Sequence, residues 1–108
     1  MARVADRRLS LGHARRFDAV VWANEGARAA WGGTGDMPDG AVLVEEAIEH
    51  TDRGDAVAGF FLMEKKDGAW RFAAESAKGD PMDPGTAAYR CAACHADAPR
   101  DSVFRLSP

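Results

Sequence analysis

Between residues 41 and 75 apolar and polar positions alternate with a period of two, and turn residues interrupt the alternation. That period is the signature of β-strands. Residues 41–49 read as one strand, with Val42, Val44, Glu46 and Ile48 on one side and Leu43, Glu45 and Ala47 on the other. Residues 56–66 read as the longest strand. Ala58, Phe60 and Leu62 share one side; Val57, Gly59, Phe61 and Met63 share the other. Both sides are apolar near the middle, which predicts a central strand covered on both faces. Asp67-Gly68 is a tight hairpin signal, and residues 69–75 return with Trp70, Phe72 and Ala74 on one side.

The flanks read differently. Residues 16–22 are rich in β-branched and aromatic types and predict a further strand. Asn24 is placed to cap a short helix over 25–31, with Glu25 in its first turn. Residues 32–40 are a loop by composition. Asp83 and Pro84 have the form of an N-cap followed by a first-turn proline, so the Ala-rich run to His95 predicts a second helix. Residues 1–12 read as a flexible lead and 13–108 as the domain. The fold class expected is α+β: a twisted antiparallel meander of four to five strands with short flanking helices.

A length of 108 residues leaves room for one core. The net charge of −3 provides no basic patch and argues against a nucleic-acid partner. No apolar run approaches the roughly 20 residues needed to span a bilayer. Arg3, Arg7 and Arg8 near the start are not followed by the apolar stretch of an export signal.

The chemistry is concentrated in Cys91-Ala92-Ala93-Cys94-His95, which uses both cysteines of the chain. Residues three and four apart share a helix face. Two thiols and one imidazole can therefore meet a single flat ligand. The pattern is that of a haem c attachment site, with Cys91 and Cys94 forming thioethers and His95 ligating the iron. Two other readings stand beside it. Cys91 and Cys94 could form half of a zinc site completed by His13 and His50, or a redox disulfide, although no βαβ pattern accompanies them. Haem c is attached outside the cytoplasm, so the haem reading implies a periplasmic protein, or one anchored facing the periplasm, with its signal or anchor absent from this chain. Two familiar haem c architectures do not fit. The period-two pattern excludes a four-helix bundle. The 13 residues after His95 contain no methionine to serve as a distal ligand, as the common small cytochrome c fold requires.

From Phe17 to Leu106 the chain resembles the cytochrome P-460 family, including its cytochrome c-prime-beta branch. The resemblance is carried by Met37-Pro38-Asp39-Gly40-Ala41-Val42-Leu43-Val44-Glu45-Glu46, by Gly68-Ala69-Trp70-Arg71-Phe72, and by the Cys91–His95 motif followed by Asp101-Ser102-Val103-Phe104. It implies a twisted antiparallel sheet, a haem packed between sheet and motif helix, and a homodimer. In the hydroxylamine-oxidising members a lysine after the Pro-X-Gly turn is linked to the macrocycle. Glu45 stands at that position here and cannot form an amine-to-carbon bond. The resemblance therefore points to the branch without the cross-link, whose members bind nitric oxide or pass electrons. An oxidoreductase of hydroxylamine or related nitrogen compounds, or a peroxidase-like activity, is the alternative.

Around the motif, the sequence suggests a five-coordinate ferrous iron with an open distal face. Phe60, Phe61 and Phe72 are candidates to line that face, and strand alternation allows only one of Phe60 and Phe61 to point at the haem. Met63, His13 and His50 are weaker candidates for a sixth ligand; Met63 reads first as core and the histidines as solvent-exposed. Glu45 is either a solvated strand carboxylate or a distal base near the haem edge. Arg71 and Arg90 suit the haem propionates, and Tyr89 is placed to pack near the haem edge. A redox partner protein completes the expected set.

Overall fold

A computed structural model describes residues 1–9, 17–33 and 35–81. Five strands and one helix follow in chain order: β1 (Ala2–Leu9), β2 (Phe17–Ala23), α1 (Glu25–Trp31), β3 (Val42–Thr51), β4 (Gly54–Lys66) and β5 (Ala69–Ser76). The strands form a single sheet in the order β1-β2-β3-β4-β5, and every pair is antiparallel. This is the predicted meander. The motif helix expected up to His95 lies outside the described residues.

One expectation is corrected. The lead over residues 1–12 contains strand β1, which pairs with β2 from Ala2↔Ala23 to Leu9↔Asp18. It is an edge strand, and its Arg3 is exposed, where a charged side chain suits the solvent and discourages further pairing. Arg3 also lies over the Trp22 ring, 5.4 Å from its centroid, a favourable placement for a cation on an indole. The centre of the sheet is β3, and β4 stands one place in from the β5 edge.

Turn chemistry explains the joints. Asp67 and Gly68 both have positive φ, 52° and 77°, as the two-residue turn matching the twist of a hairpin requires. The helix begins where Asn24 Oδ1 accepts from the Ala27 amide at 3.1 Å. The same oxygen accepts from the Val42 amide at 3.0 Å, and Nδ2 donates to the Gly40 carbonyl at 2.8 Å. One side chain thus caps α1, holds the 38–40 turn and starts β3. That turn is also tied to the next hairpin, because Gly68 N donates to Asp39 Oδ1 and Gly40 N donates to Lys65 O.

The register divides the sheet into an inner face, which carries α1, and an outer face. Ala23, Leu43, Met63 and Phe72 form one inner row across β2 to β5. Ala27 of α1 packs on that row, together with Met37 and Ala41; Trp31 and Trp70 close over it. Ala23, Ala27 and Ala41 are almost completely buried. Their small side chains let the helix lie close to the sheet.

Candidate functional site

Beyond α1 the inner face continues for two more rows. The first is Val21, Glu45, Phe61 and Ala74; the second is Ala19, Ala47, Gly59 and Ser76. Rows on one face are about 7 Å apart, two residues along each strand. The second row is built of small side chains, and Ala19 and Ala47 are buried. At Gly59 the β5 backbone comes so close that a Cβ would lie 2.6 Å from the Glu75 carbonyl oxygen. Just before it, β4 carries an extra residue against β3 between the pairs Ala47↔Gly59 and Ile48↔Val57, a bulge that bends the strand.

The first of these rows holds the chemistry. Glu45 and Phe61 are direct cross-strand partners, and Val21 flanks Glu45 on its other side. Glu45 is half-buried, and its Oε2 atom is shielded from solvent. Glu45 thus stands on the middle strand of the sheet, with Leu43 and Ala47 before and after it on the same face.

The register separates the residues singled out from sequence. Glu45, Phe61 and Phe72 share the inner face, whereas Phe60 and Arg71 share the outer face. Phe60 pairs with Glu46 and Glu75, and Arg71 with Glu64. Phe72 packs against the α1 core cluster, one row away from Phe61. Met63 is buried within that cluster, consistent with a core role. His50 follows the outer-face alternation and is exposed at the end of the sheet. Its Nδ1 lies 2.8 Å from Asp55 Oδ1 and its Nε2 3.1 Å from Asp18 Oδ2. Among the described residues no group of three or more His, Cys, Asp or Glu could hold a metal ion. His13, Tyr89, Arg90, Cys91, Cys94 and His95 lie outside the described residues.

Three features of the site were not read from sequence. The small row at Ala19, Ala47 and Gly59 needs the register of three strands to be seen. Asn24 was legible as a helix cap but not as the anchor of β3. Lys65 is 6% exposed, with its ammonium 5.7 Å from the Trp70 ring centroid; its place on the inner side of the alternation was the available signal.

A flat, largely apolar macrocycle needs a flat, largely apolar floor. The inner face offers one, with small side chains in the last row and Phe61 and Val21 in the row beside it. The residues present therefore fit a haem. The family model Cytochrome P460 (written P-460 above) matches residues 12–105 of the chain. Comparison with curated proteins gave no match.

Proposed function

This chain belongs to the cytochrome P-460 family of haem-binding cytochromes, and from that premise we propose that it is a mono-haem c-type cytochrome whose open iron position takes nitric oxide or a similar small neutral gas, and which passes electrons through the same haem. Cys91 and Cys94 would hold the group through thioethers, and His95 would ligate the iron. The bound haem supplies one-electron chemistry and a vacant coordination site. The chain supplies the surroundings. The inner rows of the sheet offer the apolar floor, Phe61 excludes water, and Glu45 puts a carboxylate where hydroxylamine-oxidising relatives carry a linking lysine. The reading includes a periplasmic location, or a membrane anchor facing the periplasm, and a homodimer.

The observation that carries the proposal is the pairing of Glu45 with Phe61 on the inner face. It brings the position that in the family meets the macrocycle next to the one of two neighbouring phenylalanines that shares its side of the sheet. An apolar side chain above an open iron site favours neutral ligands by keeping the site dry. A carboxylate at the lysine position leaves the macrocycle unlinked.

Optical spectra of protein matured with covalent haem test this. The expected ferrous spectrum is c-type and high-spin, and it shifts on adding nitric oxide or carbon monoxide. A strongly red-shifted ferrous Soret band would reveal a cross-linked macrocycle and favour hydroxylamine oxidation. A low-spin ferrous spectrum unmoved by either gas would mean a tightly held sixth ligand and a plain electron carrier. Zinc without iron in the purified protein would overturn the haem reading altogether.

A further inference from the structure

We propose that His50 is a proton-operated clip on the outer face of the sheet: as an imidazolium it ties Asp18 of β2 and Asp55 of β4 together across β3, and as a neutral ring it keeps Asp55 and lets Asp18 go. The inference stands apart from the haem and uses none of the inner-face residues placed around it.

His50 Nδ1 lies 2.8 Å from Asp55 Oδ1, and Nε2 lies 3.1 Å from Asp18 Oδ2. Both partners are carboxylate oxygens, which when ionised accept and do not donate. A neutral imidazole has one N–H and one lone pair; only the imidazolium donates from both nitrogens. The two contacts together therefore require the charged ring. In the neutral ring one nitrogen turns a lone pair toward a carboxylate, and that contact becomes repulsive. Register decides which one. Asp55 is the direct cross-strand partner of His50, whereas Asp18 pairs with Ile48 and meets the ring on the diagonal. Diagonal neighbours in a sheet are farther apart than direct ones. The longer, diagonal contact to Asp18 is the one the neutral ring gives up.

Among the described residues, Asp18 faces the ring from β2 and Asp55 from β4, the two strands that flank β3. Along β3 the next charge on the same face is Glu46, beyond Ile48, and its Oε1 accepts from Trp22 Nε1 at 3.4 Å. Glu49 falls on the opposite face by alternation. Asp52 and Arg53 lie in the turn past Thr51, where Arg53 N donates to Thr51 Oγ1 at 3.3 Å. Asp18 and Asp55 have further interactions of their own. A carboxylate has room for them, with about four acceptor positions on its two oxygens, and the clip requires neither to be reserved for His50.

The His50 side chain is 61% exposed and that of Asp18 22%. Each contact is thus a solvent-screened ion pair, of the kind that shifts an unfolding constant about two- to fivefold. The sign follows from the proton. The Asp18 contact exists in the fold while the ring is charged and the carboxylate ionised. It contributes at mildly acidic pH and is lost as pH rises through the range in which histidine changes charge.

The test is a pair of double-mutant cycles on the full chain, matured as for the optical spectra. Urea unfolding is followed at about pH 5.5 and about pH 8.5, on either side of that range. One cycle combines His50→Gln with Asp18→Asn, the other His50→Gln with Asp55→Asn; Asp18→Ala and Asp55→Ala repeat them without a new amide. Each cycle isolates its own pair, so titration elsewhere in the chain cancels. The expected His50–Asp18 coupling is about two- to fivefold in the unfolding constant at the lower pH and vanishes at the higher, while His50–Asp55 coupling persists at both. A His50–Asp18 coupling that is equal at the two pH values, or absent at both, overturns the clip. So does an Asp55 coupling that vanishes at the higher pH while that of Asp18 survives.

Discussion

Replacing Asn24 with alanine is the sharpest test of how this fold is held together. The asparagine amide makes three hydrogen bonds to three separate backbone groups: it accepts from Ala27 N and Val42 N and donates to Gly40 O. Loss of the helix cap costs about 1 kcal/mol. Each of the other two bonds contributes about 1 kcal/mol net, and less where water can reach the groups left behind. The side chain is half-buried and Gly40 is exposed, so partial rehydration is expected at Gly40. The total is therefore about 2 to 3 kcal/mol. At roughly 4 to 8 °C per kcal/mol for a domain near this size, Tm should fall by about 10 to 20 °C. The assay is equilibrium urea unfolding followed by far-UV circular dichroism, with the slope compared between variants so that a change in midpoint can be read as stability. Asn24→Asp separates the parts. It retains an oxygen acceptor for Ala27 and Val42, and its charge suits the start of a helix, but it sets oxygen against the Gly40 carbonyl. It should lose less than Asn24→Ala. A loss below about 0.5 kcal/mol for Asn24→Ala, within the range of an ordinary surface change, would refute the view that this side chain joins helix and sheet. So would an Asp variant as unstable as the Ala variant.

Other substitutions probe the sheet and the motif. Gly59→Ala brings a Cβ to 2.6 Å from the Glu75 carbonyl, so β4 and β5 must separate there. A loss of about 1 to 3 kcal/mol is expected in urea unfolding, whereas a neutral outcome would mean the close approach does not persist in solution. Met63→Ala opens a void among Leu43, Met37 and Phe72 and should cost about 2 to 5 kcal/mol; as a core residue rather than an iron ligand, it should leave the ferrous haem spectrum unchanged. Cys91→Ser with Cys94→Ser should abolish covalent haem, read as extraction of the pigment by acidified organic solvent. Retention of the pigment through that extraction would contradict the thioether assignment.

Parts of the fold were legible because local chemistry and global pattern agree. Asn24 and Glu25 announced α1 over the residues it occupies, and Asp67-Gly68 announced the β4–β5 hairpin. The strand ends were read short. Thr51, Gly54 and Asp55 pair across the β3–β4 turn although they are polar and exposed, and pattern reading sees only the half-buried part of a strand. Strand β1 was missed for a related reason. As an edge it needs no continuous apolar side, so Arg3 between Ala2 and Val4 reads like a linker. For the site, alternation sorted Phe60 from Phe61 and Glu45 from Glu46. It could not say which side α1 would cover, because that depends on tertiary packing of Ala23 and Ala27 rather than on either strand alone. Arg71 shows the same limit: its suitability for a carboxylate is a property of the residue, but its face is a property of the sheet.

The order of the strands has a consequence for how the protein is made. Each strand pairs with its neighbour along the chain, so the described sheet can grow one strand pair at a time, with α1 carried in the longest link, between β2 and β3. Such local connectivity goes with rapid assembly. The Cys91–His95 stretch follows β5, and a chain emerging from its N-terminus can therefore complete the platform before the thiols appear. On the proposed haem c reading, maturation machinery working on those thiols would then meet a partner surface already standing, and the prosthetic group would be fitted onto a sheet rather than be needed to gather one.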